Sequence, residues 1–105
     1  MKVQNMISER SERNVPNQFV MWDDNGNVYF QSYNSLIAKW DGERLLLGRD
    51  FDYSVTTVKY LHQWIVKFVG YRFNCEVLEY KKSSYAGKLQ AMIDDGKIDY
   101  DYNMR

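Results

Sequence analysis

The chain has 105 residues, enough for one domain with one modest core, and its 45% hydrophobic content excludes a disordered chain. Its 14 basic residues balance its 14 acidic ones, which argues against a protein held to nucleic acid chiefly by counterion release and leaves room only for a local basic strip. One cysteine, Cys75, and one histidine, His62, exclude an internal disulfide and a cysteine-based zinc site, and a lone thiol fits a reducing cytoplasm.

Residues 1–16 are polar and mixed in charge and end at the only proline, Pro16. They read as a flexible arm, a plain disordered tail, with ordering on a partner through Arg10 and Arg13 as the alternative. Their opening, MKVQNMISERSER, lacks the apolar segment of a signal peptide. Residues 17–105 then form a single α+β domain.

Gln18–Trp22 and Val28–Ser32 are apolar-aromatic runs around Asp24-Asn25-Gly26-Asn27. Asn-Gly suits a type I′ turn, whose two central residues both need φ > 0. With Asn25-Gly26 as the loop, Trp22 opposes Tyr29 and Met21 opposes Phe30. One face then carries Val20, Trp22, Tyr29, Gln31 and Tyr33, and the other Phe19, Met21, Val28 and Phe30. The second, uniformly apolar, is expected to be the core face, and the first a partly solvated aromatic face. Leu36–Trp40 and Glu43–Leu47 flank Asp41-Gly42 as a second hairpin. The expected sheet is an antiparallel meander of four to five strands packed with one or two helices.

Ser54 has the character of a helix N-cap, followed by Val58, Leu61, Ile65 and Phe68 at helical spacing, with Gly70 as the stop. Tyr71–Tyr80 alternates as a fifth strand would, with a helix continuing past Gly70 as the alternative. Ser83 or Ser84 caps a second helix through about Asp94, and Lys97–Tyr102 suits a short edge strand. A membrane span would have to cross Lys59, His62 and Lys67, so none is expected.

Chemistry is sparse. His62 falls beside the core stripe, where a structural hydrogen bond is the better reading than catalysis. Cys75 has no histidine near it and reads as a small buried hydrophobe. The pairs Asp23-Asp24, Asp50-Asp52 and Asp94-Asp95 sit at turns or helix ends, where Asp serves the backbone, and a metal would need them to converge. No Walker loop, GxGxxG, HExxH or GxSxG is present. No catalytic residue, metal or cofactor is expected.

Sixteen per cent aromatics, with 9 Tyr and 3 Trp, exceed what a core of this size holds, so some rings should form a binding face. Besides Trp22, Tyr29 and Tyr33, one candidate group is Tyr53, Thr57, Tyr60, Trp64 and Lys67, the last four on one helix stripe. Another is the acidic, tyrosine-rich end with Asp94, Asp95, Asp99 and Asp101, whose carboxylates could mimic a phosphate track and fill the groove of a nucleic-acid enzyme.

Two stretches carry a resemblance: Tyr29-Phe30-Gln31-Ser32-Tyr33-Asn34-Ser35-Leu36-Ile37-Ala38, and Asp52-Tyr53-Ser54-Val55-Thr56-Thr57-Val58-Lys59-Tyr60. Over roughly residues 17–70 the chain resembles a domain of unknown function found in small proteins of bacteriophages and their Gram-positive hosts. The resemblance carries over no catalytic residue. It implies a phage or mobile-element protein working in the bacterial cytoplasm. Joined to the aromatic surplus, it makes the expected function a non-catalytic protein that binds and inhibits a host protein, plausibly a nucleic-acid-processing defence enzyme such as a CRISPR effector. A small nucleic-acid-binding module with an aromatic platform and a homo-oligomeric structural phage protein are the alternatives, with an enzyme last.

Overall fold

The structure is a computed structural model describing residues 1–105. Its hairpins are set by aspartates. Asp23 accepts from the amides of Asn25 and Asn27, each at 2.9 Å, from the Asn27 side chain at 2.8 Å and from the Tyr29 hydroxyl at 3.0 Å. Gly26 takes a φ of 83°, and the Asp23 amide donates to the Asn27 carbonyl at 3.2 Å. The loop is therefore three residues, Asp24-Asn25-Gly26, with the left-handed residue last, rather than the two-residue turn expected.

That difference corrects the faces. Strand β2 (Asn14–Trp22) pairs with β3 (Val28–Ser32) so that Trp22 opposes Val28, Met21 opposes Tyr29 and Val20 opposes Phe30. A slip of one residue exchanges the faces of one strand relative to the other. Val20, Trp22, Val28 and Phe30 point inward, whereas Phe19, Met21, Tyr29 and Gln31 point outward. Strand β4 (Ser35–Trp40) and β5 (Leu45–Gly48) join at a second aspartate, Asp41, which accepts from the Glu43 and Arg44 amides at 2.8 Å each. Trp40 pairs with Leu45, so Gly42-Glu43 is the loop, and Gly42 supplies the left-handed φ of 97°.

Residues 1–16 are not an arm. Strand β1 (Lys2–Ile7) pairs antiparallel with β2, and Met6 and Val15 are buried. The register jumps from Asn5–Phe19 to Ile7–Asn14, so β2 bulges through Pro16 and Asn17, where proline's missing donor is tolerated.

Helix α1 (Val55–Trp64) starts as expected at Ser54, whose hydroxyl accepts from the Thr57 amide at 3.1 Å. It continues into a π turn, Ile65–Val69, closed by the Gly70 amide on the Ile65 carbonyl at 2.8 Å. Adjacent Trp64 and Ile65 both end fully buried, and Trp64 stacks on Phe30 with centroids 6.4 Å apart. The stretch 71–80 is not a strand: helix α2 spans Tyr71–Leu78, and Glu79 and Tyr80 turn out of it. Helix α3 (Tyr85–Asp94) is capped by Ser84, whose hydroxyl accepts from the Gly87 amide at 2.9 Å. Strand β6 (Asp99–Asp101) returns parallel to β5.

The result is an α+β fold: a six-stranded, mostly antiparallel sheet in the order β1-β2-β3-β4-β5-β6, with three helices. The core lies between the inner sheet face (Val20, Phe30, Ala38, Leu47) and the helices (Leu61, Trp64, Val77, Leu89). No helix is long and apolar enough to cross a membrane.

Candidate partner-binding surface

The helices pack on the inner sheet face, and nothing in the core cluster comes from the outer one. The register strings one outer row across all six strands: Val3, Met21, Tyr29, Lys39, Leu46, Asp99. A second row runs Asn5, Phe19, Gln31, Leu36. Six of these ten side chains are apolar or aromatic, on a face where a solvated antiparallel sheet ordinarily alternates to polar residues. Val3 is 57% exposed, and Phe19, Met21, Tyr29, Leu36 and Leu46 are half-buried.

Tyr29 anchors the middle of the face. The Lys39 ammonium lies 6.0 Å from its ring centroid, and its hydroxyl donates to Asp23. Burial, then the Asp23 carboxylate, pushes the phenol pKa up. Asp23 is held below the ordinary carboxylate range, first by the Asn27 side-chain amide.

The other expected binding residues are scattered. Trp22 lies on the inner side, edge-on to Phe68 at 5.8 Å and beneath the Lys2 ammonium at 5.3 Å. Trp64 is core, so the helix stripe is not a free surface; Thr57 is buried too, bonded to Ser32 at 2.9 Å. Tyr60 packs half-buried against the core beside Lys59, and Lys67 is exposed over the Phe68 ring. Tyr33 and Tyr53, both exposed, line one cleft of about 580 Å³ at the start of α1, together with Ser32, Ser35, Ser54 and Thr56.

The acidic end does not form one track. Asp94 and Asp95 close α3, where Asp94 accepts from Gln90 at 3.1 Å and Asp95 from the Tyr80 hydroxyl at 2.7 Å. Asp99 and Asp101 lie on β6. Arg44 grips Asp99 through two bonds, 2.6 and 3.2 Å, and holds its carboxyl below the ordinary range. Asp101 accepts from the Asn103 amide at 2.9 Å.

His62 stacks on Tyr85, centroids 4.0 Å apart, and burial pushes its pKa down. The Tyr85 hydroxyl donates to buried Asn74 at 2.6 Å, and burial pushes that phenol up. No three His, Cys, Asp or Glu side chains converge as metal ligands.

Residues 1–82 match a family of unknown function, DUF8033. The chain belongs to that family. The matched span holds β1 to β5, α1 and α2, and so nearly the whole outer face; α3 and β6 lie beyond it. No curated protein and no solved structure matches the chain.

Of this face, the sequence points to Tyr29 and Gln31 on β3 and to Asp99 and Asp101 on β6. Phe19, Met21, Val3, Leu36 and Leu46 were missed. One signal was available: Leu45-Leu46-Leu47 in a strand must send its middle leucine to the face opposite the other two.

Proposed function

We propose that this is a non-catalytic binding protein whose outer sheet face docks a protein partner. The observation that carries the reading is the uncovered row Val3–Met21–Tyr29–Lys39–Leu46, in which Lys39 alone is charged and no helix lies above. Apolar surface left in water costs about 25 cal/mol per Å², and a contiguous patch of it is the usual mark of an interface. Tyr29 is the natural anchor, a rigid ring held by Asp23 with a cation beside it.

Charge favours protein over nucleic acid. Lys39 is the one basic residue among the outer strand positions, and Asp99 and Asp101 stand at the far end. Inhibition of a host nucleic-acid enzyme in the bacterial cytoplasm is the sharper form of the proposal. It rests on the sequence resemblance, with the aromatic outer face in place of an acidic track.

The test is capture from bacterial lysate by the native chain beside Met21→Asp, with Tyr53→Ala as a control off the face. A partner retained by the native chain and by Tyr53→Ala, and lost by Met21→Asp, supports the reading. A partner held equally by all three, or none reproducibly held, counts against it.

A further inference from the structure

The sheet has two edges, and they are not alike. Strand β6 is three residues, Asp99-Tyr100-Asp101, with a carboxylate at each end. Short, charged strands are how proteins keep an edge from pairing with another chain. Strand β1 is six residues, Lys-Val-Gln-Asn-Met-Ile, with one charge and no proline. It pairs with β2 alone, so every second N–H and C=O along it points away from the sheet. The single charge does not guard that edge, because the Lys2 ammonium lies over the Trp22 ring on the inner side. On the outer side Val3 and Ile7 are 57% and 38% exposed.

We propose that β1 pairs antiparallel with β1 of a second copy of this chain, about a two-fold axis at Asn5. An isologous pairing of edges needs an axis normal to the sheet, which keeps outer residues opposite outer residues. Odd positions of β1 therefore face odd positions. Centred at Asn5, Val3 lies opposite Ile7 of the second copy, and the contact occurs twice. Gln4 meets Met6, Lys2 meets Ser8, and no like charges oppose. A centre at Gln4 would instead set apolar Val3 against Asn5. A second copy is the occupant because β1 answers its own pattern: uncharged backbone edge to uncharged backbone edge, exposed valine to exposed isoleucine. The net charge of zero adds no repulsion between copies. The pairing joins two six-stranded sheets edge to edge and makes their outer faces continuous. It borders the docking face proposed above but is read by mass, whereas docking is read by capture, so either can fail alone.

The experiment is sedimentation equilibrium of the full chain between roughly 1 µM and 1 mM, where a monomer–dimer equilibrium is expected. Val3→Asp with Ile7→Asp sets carboxylates against each other at both contacts and should leave a monomer. Val3→Asp with Ile7→Lys sets opposite charges together and should restore the dimer. Thermal melts by circular dichroism check that both remain folded. Should the first not fold, Asn5→Cys in a Cys75→Ser background reads the same axis. Opposed Cα atoms of an antiparallel pair are about 4.5–5.5 Å apart, within the roughly 4.4–6.8 Å a disulfide spans. That chain should oxidise to a covalent dimer, and a Tyr53→Cys chain should not. A native monomer throughout, a dimer that survives the double aspartate, failure of the charge swap to restore it, or cross-linking no better than at Tyr53 overturns the proposal.

Discussion

Phe30 and Tyr29 are neighbours in β3 and meet opposite fates. Phe30 is fully buried, stacked on Trp64 and shut in by the helix layer. Tyr29 looks out between Met21 and Lys39, with its hydroxyl tied to a turn aspartate and no element above it. The same contrast holds along the sheet: Leu45 and Leu47 are core, and Leu46 is not. Both faces are rich in apolar groups, so apolarity does not choose the inner one. The helices do, by covering one side only. What is left on the other side is apolar surface in water, the surface on which the proposed docking rests.

The largest expected effect breaks or keeps that contrast directly. Phe30→Ala empties a closed site and should cost about 3–5 kcal/mol in urea denaturation. Met21→Ala, across the sheet from it, should cost under about 1 kcal/mol, as substitutions outside a packed core usually do. Equal losses would mean that the outer face is a second core and that some part of the chain covers it.

A smaller effect tests how tightly the sheet is closed at its far edge. A Cβ on Gly48 would stand 2.5 Å from the Met104 carbonyl oxygen and 2.9 Å from that of Leu36. Both are backbone atoms, so one strand must move. Gly48→Ala should cost about 1–3 kcal/mol and loosen β6, which pairs with β5 through this residue. The readout is faster amide exchange at Tyr100 and Asp101. Unchanged exchange at Tyr100 and Asp101 would mean that the added Cβ is taken up without moving β6.

How much of this could be read in the sequence depends on what sets each feature. Helix ends were legible because they rest on single local residues: Ser54 and Gly70 stand where expected, and of the two serines before α3 it is Ser84 that caps. The α+β class and the meander followed from Gly-bearing turns between apolar runs. The hairpin faces were not legible from Asn25-Gly26, because the loop length is decided by the Asp23 side chain bonding the Asn25 and Asn27 amides, a competition the dipeptide does not reveal. Residues 71–80 read as a strand because Phe73 and Val77 fit a period of two as well as a helical turn. The buried residue that breaks the tie is Asn74, a polar side chain satisfied by Tyr85 from another helix. Strand β1 hid for a similar reason: Met6 is its only buried side chain, and its partner bulges at Pro16 and Asn17. Among the expected binding residues, Tyr29 faces outward in both registers, because the slip moves β2 and not β3. Trp22 changed sides with the loop, and Trp64 falls on the buried row of α1 with Thr57 and Leu61.

The smallest effect concerns the seam between α1 and α3, which lies on the covered side. His62 stacks on Tyr85 there, and burial lowers its pKa from an ordinary 6.5, with the charge of Glu9 acting weakly the other way. The neutral imidazole is thus the form the fold accepts. As pH drops through about 6.5 the unfolded chain takes up a proton first, and the folded chain does so only at a lower pH. Between those two values the unfolded state binds more protons, so stability falls with acidification and levels off once the folded histidine is protonated too. The carboxylates of Asp23 and Asp99, whose pKa values are also lowered, start from 3.8 and add their loss only in more acidic solution. A melting temperature that declines from about pH 7 to about pH 5 in the native chain, and stays level in His62→Gln, is the expected result. The outer face has no histidine, so Met21→Ala should keep the native slope. A slope that persists in His62→Gln would place the titrating group elsewhere and remove the stacked pair from the account of how α3 is held.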